Sequence, residues 1–299
     1  MNLALEIEKL PALGLGASLS LSSLPDPVKL VEAKGGPSFV EYAGQVDVDR
    51  VISEVERVKQ TGVPVLFHPS FINFCGSHVN NTSWLETTAE QLRAVASPWF
   101  AQDCAYCFWE GGPGYSTQLG YFIPPVLNEQ SLQRAIERVK EVQSVVPVSV
   151  AIEPPPLSFV VGNMHLLDFF GELARACDCA ILLDMGHLVS YEMASARKLV
   201  EAFNGFPFER VVEVHVAGGK LRKGETGPIY IDAHESSILD QTWAMLDNIL
   251  PRLPTVRAVC YECEGVDEPT VLNTLERIRT VLLAQSVSPE LLLKLQEKQ

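Results

Sequence analysis

Ala180-Ile181-Leu182-Leu183-Asp184-Met185-Gly186-His187 is an unbroken apolar run that ends on a carboxylate, with an imidazole three residues further on. An apolar side chain at every position fits a strand covered on both faces, as in a parallel sheet, rather than one with a wet side. Asp184 then ends a strand and His187 begins the loop after it. The same texture recurs at Leu13–Ser20, Phe39–Ala43, Val63–His68, Trp99–Phe108, Val148–Glu153, Val211–Ala217 and Ala258–Cys263. Between these runs lie helical periodicities. Val51, Ile52, Val55 and Val58 share a face, as do Leu132, Ala135, Ile136, Val139 and Val142. Val271, Leu272, Leu275, Ile278 and Leu282 repeat the spacing after Pro269, which suits a first helical turn. Further helices are expected over Trp84–Ala96, Met164–Ala176, Tyr191–Phe203 and Ser237–Ile249. Eight strands alternating with about eight helices predict a (β/α)8 TIM barrel, an α/β fold over residues 12–285, with an extra helix over 289–297 in the same domain. The competing fold is an open doubly wound sheet. Its dinucleotide fingerprint is missing, because Gly14-Leu15-Gly16 has no third glycine.

Composition narrows the function classes. Of 299 residues, 47% are apolar, enough for a sizeable core, and the formal charge of −14 argues against a nucleic-acid partner. The first ten residues carry Glu6 and Glu8 and no basic stretch, so no signal peptide is read there. No apolar run approaches the ~20 residues of a membrane helix. Seven cysteines, an odd number in a large chain, point to reduced thiols and a cytoplasmic location.

In such barrels the active site forms at the C-terminal ends of the strands. Read in order, those ends carry Glu41, His68, Asp103 with Cys104, Glu153, Asp184 with His187, His215 and Glu262. The loop after the seventh strand adds Asp232 and His234, placed on one side of an extended segment by their spacing of two. Glu213 shares a face with His215 and lies deeper. His78 and His165 read as loop and helix residues. A lone strand-end histidine is more often structural than a ligand. Carboxylates and imidazoles on every strand end, however, are unfavourable together without compensating cations.

Glu153, Asp184-x-x-His187, His215, Asp232-x-His234 and Glu262 resemble the metal-ligand series of the xylose-isomerase-like barrel superfamily. Within it, the segments Val65–His68, Ala151–Pro154, Leu182–Asp184, Val212–Gly218, Ile231–His234 and Tyr261-Glu262, with Trp243, look like the multinuclear non-haem iron-dependent oxidative enzymes. That family includes the methanobactin-biosynthesis oxidase. The resemblance implies one metal on Glu153, Asp184, His215 and Glu262, and a second on His187, Asp232 and His234. It implies a third on His68, shared Glu153 and a fourth-strand donor. It names Asp184, His215 and Glu262 as the catalytic set and two or three iron ions as cofactor, the donors also suiting manganese or zinc. It further implies dioxygen chemistry on a precursor peptide, at cysteine, with a separate peptide-recognition protein as partner.

Several positions depart from the family pattern. Gln102-Asp103-Cys104 stands where a Ser-Glu-His-like segment is usual, Pro154 replaces an Asn, and Gly219 replaces a His. The early histidine of the first strand is missing. At the fourth strand the donor is then the Cys104 thiolate, the Asp103 carboxylate, or neither. Outside that family, a sugar isomerase or epimerase, a metal-dependent phosphodiester hydrolase, and a non-catalytic metal- or peptide-binding barrel remain as alternatives.

Cys260-x-x-Cys263 lies along a strand, where residues three apart face opposite ways, so both read as buried structural thiols. Cys177 and Cys179 read as packing. The stretch from Gly111 to Tyr115 reads as a loop able to close over a substrate or as an idle turn. Lys220, Arg222 and Lys223 form a basic tip suited to a carboxylate or phosphate, or simply to solvent.

Overall fold

The computed structural model describes residues 7–19, 24–43, 48–69, 72–112, 115–225, 227–285 and 287–297. Eight parallel strands close a barrel in chain order: β1 Gly14–Leu19, β2 Val40–Ala43, β3 Val65–His68, β4 Trp99–Asp103, β5 Ser149–Glu153, β6 Ala180–Asp184, β7 Val211–Ala217 and β8 Ala258–Glu262. β8 pairs back onto β1. Each strand lies inside a run read as a strand from sequence. The last helix, Pro289–Gln296, packs against β1. Among the described residues no helix is long and apolar enough to cross a membrane.

Alternation along each strand sorts its side chains into two environments. Val65 and Phe67, Val150 and Ile152, Ile181 and Leu183, and Val259 and Tyr261 pack outward under the helices. Leu66, Ala101, Ala151, Leu182, Ala258 and Cys260 form a separate apolar cluster inside the barrel, with Ile7 and Leu13. The next inward position toward the C-terminal end is polar on strand after strand. Leu66 is followed by His68, Ala101 by Asp103, Ala151 by Glu153, Leu182 by Asp184, and Cys260 by Glu262. All five polar residues are buried. Strand parity therefore carries an apolar floor and a polar mouth on the same eight segments.

Four expectations need correction. The fourth strand stops at Asp103 rather than Phe108; after a turn at Cys104-Ala105 the chain enters an antiparallel hairpin, Tyr106–Gly112 with Tyr115–Ile123. Of the stretch from Gly111 to Tyr115, Gly112 and Tyr115 pair across that hairpin, and Pro113 and Gly114 lie outside the described residues. His187 does not begin a loop. A helix, Met185–Ser195, starts directly after β6, and the expected helix over Tyr191–Phe203 is its end plus a separate 3-10 turn at Leu199–Gly205. His165 is the N-cap of helix Leu166–Cys177, its Nδ1 accepting the Leu167 N–H, rather than a residue within it.

A Cβ on Gly16 would sit 2.3 Å from the buried Phe39 ring. Gly16→Ala is expected to lose about 1–3 kcal/mol by overpacking. The measurement is the urea midpoint at unchanged m-value, and an unshifted midpoint would contradict the packing described.

Candidate metal centre

The register brings the strand-end residues into one layer. Asp103 pairs with Glu153, Asp184 with His215, and Glu262 with Ser18 and Ala217. Asp184 does two things at once. It ends β6, and as N-cap of the following helix its Oδ1 accepts the His187 N–H at 2.6 Å. An aspartate cap on a strand-to-helix junction thereby holds His187 in the first turn, facing the mouth. A second hairpin, Gly219–Lys223 with Pro228–Asp232, delivers Asp232. His234 follows in the left-handed region at φ 45°, not in extended backbone as its spacing suggested.

His68 Nε2 lies 3.3 Å from Glu153 Oε2, and His187 Nδ1 lies 3.2 Å from Glu153 Oε1, so one carboxylate spans two imidazoles. His187 Nε2 faces Asp232 Oδ2 at 3.2 Å, and His234 Nε2 faces the same oxygen at 3.6 Å. His215 Nδ1 is 3.2 Å from Glu262 Oε1. Ligand atoms of Asp184, His215 and Glu262 lie within 4.8 Å of one another, as do those of His68, Glu153 and His215 and of Asp103, Glu153 and His187.

Neighbouring acceptors assign ring protons. The Pro154 carbonyl can only accept, and at 2.9 Å from His187 Nδ1 it fixes a proton there, so Nε2, which faces Asp232, is the nitrogen whose proton a cation would displace. Glu264 Oε2, 2.7 Å from His234 Nδ1, does the same for that ring, and Glu264 is itself held by the Ser18 hydroxyl. Such outer partners commonly orient metal-binding histidines.

The electrostatics are lopsided. Glu41, Asp103, Glu153, Asp184, Glu213, Asp232, Glu262 and Glu264 surround four histidines, and none of these carboxylates forms an ion pair with Lys or Arg among the described residues. Burial pushes Asp184 up to about 7 despite His187 beside it. Burial also drives Glu213 up to about 7, with the Glu41 charge adding to it, and carries Asp103 well above the carboxylate range. Glu153 is buried too, yet hydrogen bonds from His187 and His68 outweigh that and hold it at about 2. Burial opposes charge on all four imidazoles, but the carboxylates around them keep each protonated well above its ordinary range. The cluster balances its excess negative charge with protons, in sites where divalent cations compete directly with them.

Orphaned atoms test whether such cations fit. Asp103 Oδ1, Glu153 Oε2, Asp184 Oδ2, Asp232 Oδ1, Glu262 Oε2 and both ring nitrogens of His215 are buried with no hydrogen-bond partner. Oxygen and imidazole nitrogen donors, converging and unpaired, suit a divalent first-row metal.

Of the two fourth-strand candidates, only Asp103 reaches this layer. The chain turns after Asp103, and the Cys104 thiol points instead to the Phe74 carbonyl at 3.5 Å, within the outer core. Burial raises that thiol well above its usual range. Glu41, a strand-end residue left out of the ligand series, sits between His68 Nδ1 at 3.5 Å and His215 Nε2 at 3.3 Å. Glu264 and Tyr230 were not singled out. Glu264 lies two residues past Glu262, so continuing the alternation finds it. Tyr230 is placed by the hairpin, with its buried hydroxyl over Gly186, and no spacing signal marks it.

Residues 36–282 match the sequence profile of the RiPP precursor modification enzyme family MbnB/TglH/ChrH. The chain belongs to this family. A UPF0276 protein of Neisseria meningitidis serogroup B is 25% identical over 206 residues, covering 67% of this chain and 69% of its own. A UPF0276 protein of Streptomyces avermitilis is 24% identical over 273 residues, 89% of this chain and 55% of its own. Among solved structures, a D-psicose 3-epimerase from Clostridium cellulolyticum H10 superposes with TM-score 0.57 at 11% identity, over 90% of this chain and 99% of its own. A xylose isomerase domain protein from Planctomyces limnophilus gives 0.56 at 10%, over 92% and 99%. At such identities these two share the fold, the xylose-isomerase-like TIM barrel.

A Cβ on Gly218 would sit 1.7 Å from the Glu235 carbonyl oxygen, while Glu235 N–H donates to the Gly218 carbonyl at 2.8 Å. Gly218→Ala is therefore expected to push the Asp232–Glu235 segment off the mouth. Faster hydrogen–deuterium exchange over residues 228–236, with the barrel strands unchanged, is the expected readout; unaltered exchange there would refute it.

Proposed function

We propose that this family member is an oxygen-activating, iron-dependent oxidoreductase that modifies a ribosomally made precursor peptide at cysteine. The observation that carries the metal reading is the surplus of buried, unpaired carboxylate oxygens converging on imidazoles at the barrel mouth, with no Lys or Arg paired to them among the described residues. The family's description as precursor modification enzymes supports the peptide substrate.

Asp184, His215 through Nδ1, and Glu262 would hold one ion. His187 through Nε2, Asp232 and His234 would hold a second. His68 and Glu153, with Asp103, would hold a third, Glu153 being shared. Ferrous iron held there would donate electrons to dioxygen, which would be the oxidant that takes hydrogen from substrate; manganese or zinc would fit the same donors, and zinc would add no redox chemistry.

The protein's own groups do the positioning. The Pro154 carbonyl and the Glu264 carboxylate hold the Nδ1 protons of His187 and His234, which turns both Nε2 atoms inward as the positions that would bind an ion. Burial, with Asp184 and Asp232 nearby, keeps the Tyr230 phenol protonated far above its ordinary range, so its hydroxyl is a donor at the mouth. Arg222 and Lys223 are exposed on the hairpin that delivers Asp232, and they suit a carboxylate of an incoming peptide. Lys220 is paired with Glu235 at 3.3 Å. A separate recognition protein would present the peptide to this face.

Chain purified without oxygen is expected to carry about two to three iron ions and to consume dioxygen when given precursor peptide. His215→Ala and Asp184→Ala should each lower bound iron and abolish turnover. Turnover with zinc or manganese in the absence of oxygen would instead favour a non-redox barrel enzyme. Intact metal content and function in both variants would overturn the assignment.

Chelation provides a separate check through stability. A bound ion at ~100 times its Kd adds about 2.7 kcal/mol to the folded state. Stripping the metal should lower the thermal midpoint, and re-adding ferrous iron should restore it.

A further inference from the structure

Cys260 carries a sulfur into the barrel, one inward step below Glu262 on β8. Its register partners are Gly16 on β1 and His215 on β7. The ligand atoms of Cys260, His215 and Glu41 lie within 4.8 Å of one another, and all three residues are at most 1% exposed. Glu41 Oε1 and His215 Nε2 are 3.3 Å apart, yet neither has a hydrogen bond of acceptable geometry. A fourth group faces the same space. Glu213 Oε1 is 3.5 Å from His215 Nε2 and is likewise unpaired, while its other oxygen accepts the Trp99 indole N–H at 2.7 Å.

We propose that Cys260, His215 Nε2 and Glu41, with Glu213 in reach, form an inner thiolate metal site below the mouth cluster, selective for a thiophilic divalent ion of the zinc or cobalt class. The site deepens the metal reading of the mouth and rests on it through the shared His215. One thiolate, one imidazole and carboxylates make a borderline-soft set, whereas the mouth offers only nitrogen and oxygen. As the sulfur–metal bond forms, the thiol proton leaves to solvent.

Sharing His215 has a consequence. A neutral imidazole has one ring lone pair. With an ion on Nε2, Nδ1 carries the proton and donates to Glu262, 3.2 Å away. With an ion on Nδ1, Nε2–H turns to Glu41 or Glu213. The two donor sets therefore compete for one ligand, and a thiophilic ion in the inner set withdraws His215 from the mouth.

The test is anaerobic titration of the full, metal-stripped chain with cobalt(II), read by absorbance. Visible d–d bands report all bound cobalt; near-ultraviolet thiolate-to-cobalt charge transfer reports sulfur ligation. The charge-transfer band should saturate at about one cobalt per chain, vanish in Cys260→Ser and weaken at least tenfold in apparent affinity in Glu41→Gln, with d–d bands from the mouth remaining. Zinc should bleach it. Bound cobalt without the band in the wild-type chain, or a band that survives Cys260→Ser, overturns the inner site alone. No bound cobalt at all overturns the mouth reading with it. If circular dichroism shows Cys260→Ser unfolded, X-ray absorption of the wild-type cobalt form decides, by presence or absence of a sulfur scatterer at about 2.3 Å.

Discussion

A carboxylate taken out of water needs a proton, a hydrogen-bond donor or a cation, and the mouth of this barrel is poor in donors. Its carboxylates come from nearly every strand of the barrel, their partners are imidazoles, and several oxygens have no partner. Much else follows from that constraint. The helix after β6 starts on Asp184 itself, and two imidazoles are steered from outside by a carbonyl and a carboxylate. The glycines at 186 and 218 leave room for Tyr230 and the Asp232–Glu235 segment to close in. Leu66, Ala151 and Leu182 make the lower barrel mainly apolar, with Glu213 reaching below the mouth to the Trp99 indole.

The barrel was readable because parallel strands are apolar on both faces and end abruptly, as the run from Ala180 to Asp184 does. Most of the polar layer was readable for the same reason: alternation puts Glu153, Asp184, His215 and Glu262 on the inner row, and the structure brings them together. What escaped was set by changes of chain direction. Parity cannot be continued through the turn at Cys104-Ala105, so the sequence left Asp103 and Cys104 open, and the chain resolves them to opposite sides. Nor does a spacing of two mean an extended segment once a residue adopts φ 45°, as His234 does. The helix at Met185 carried a signal that was not used, an aspartate at an N-cap position. Cys260 was set aside with Cys263 as packing. The two do face opposite ways, Cys263 bonding outward to the Ser18 carbonyl, and the inward one lies in the apolar layer just beneath the polar mouth, beside His215 and Glu41.

Both hairpins enter where a strand has just delivered a site residue. One follows Asp103; the other begins two residues after Ala217 and returns Asp232 to the mouth. Each lengthens a strand-to-helix connection on the functional face without disturbing the barrel ladder, which is how one scaffold accommodates different rims.

The seam between β3 and β4 differs from the others. Its ladder has a single register pair, Phe67 with Phe100, where β4 and β5 share five. Side chains splice the gap: Ser97 accepts the Phe67 N–H, and the Gln102 amide holds both backbone groups of Ile72. His68 and Asp103 therefore stand on opposite banks of a joint whose width is set by an amide and a hydroxyl rather than by sheet geometry. Exchanging those two spacer residues would retune the separation of the donors while the rest of the barrel keeps its register. That makes this corner the adjustable jaw of an otherwise fixed vice.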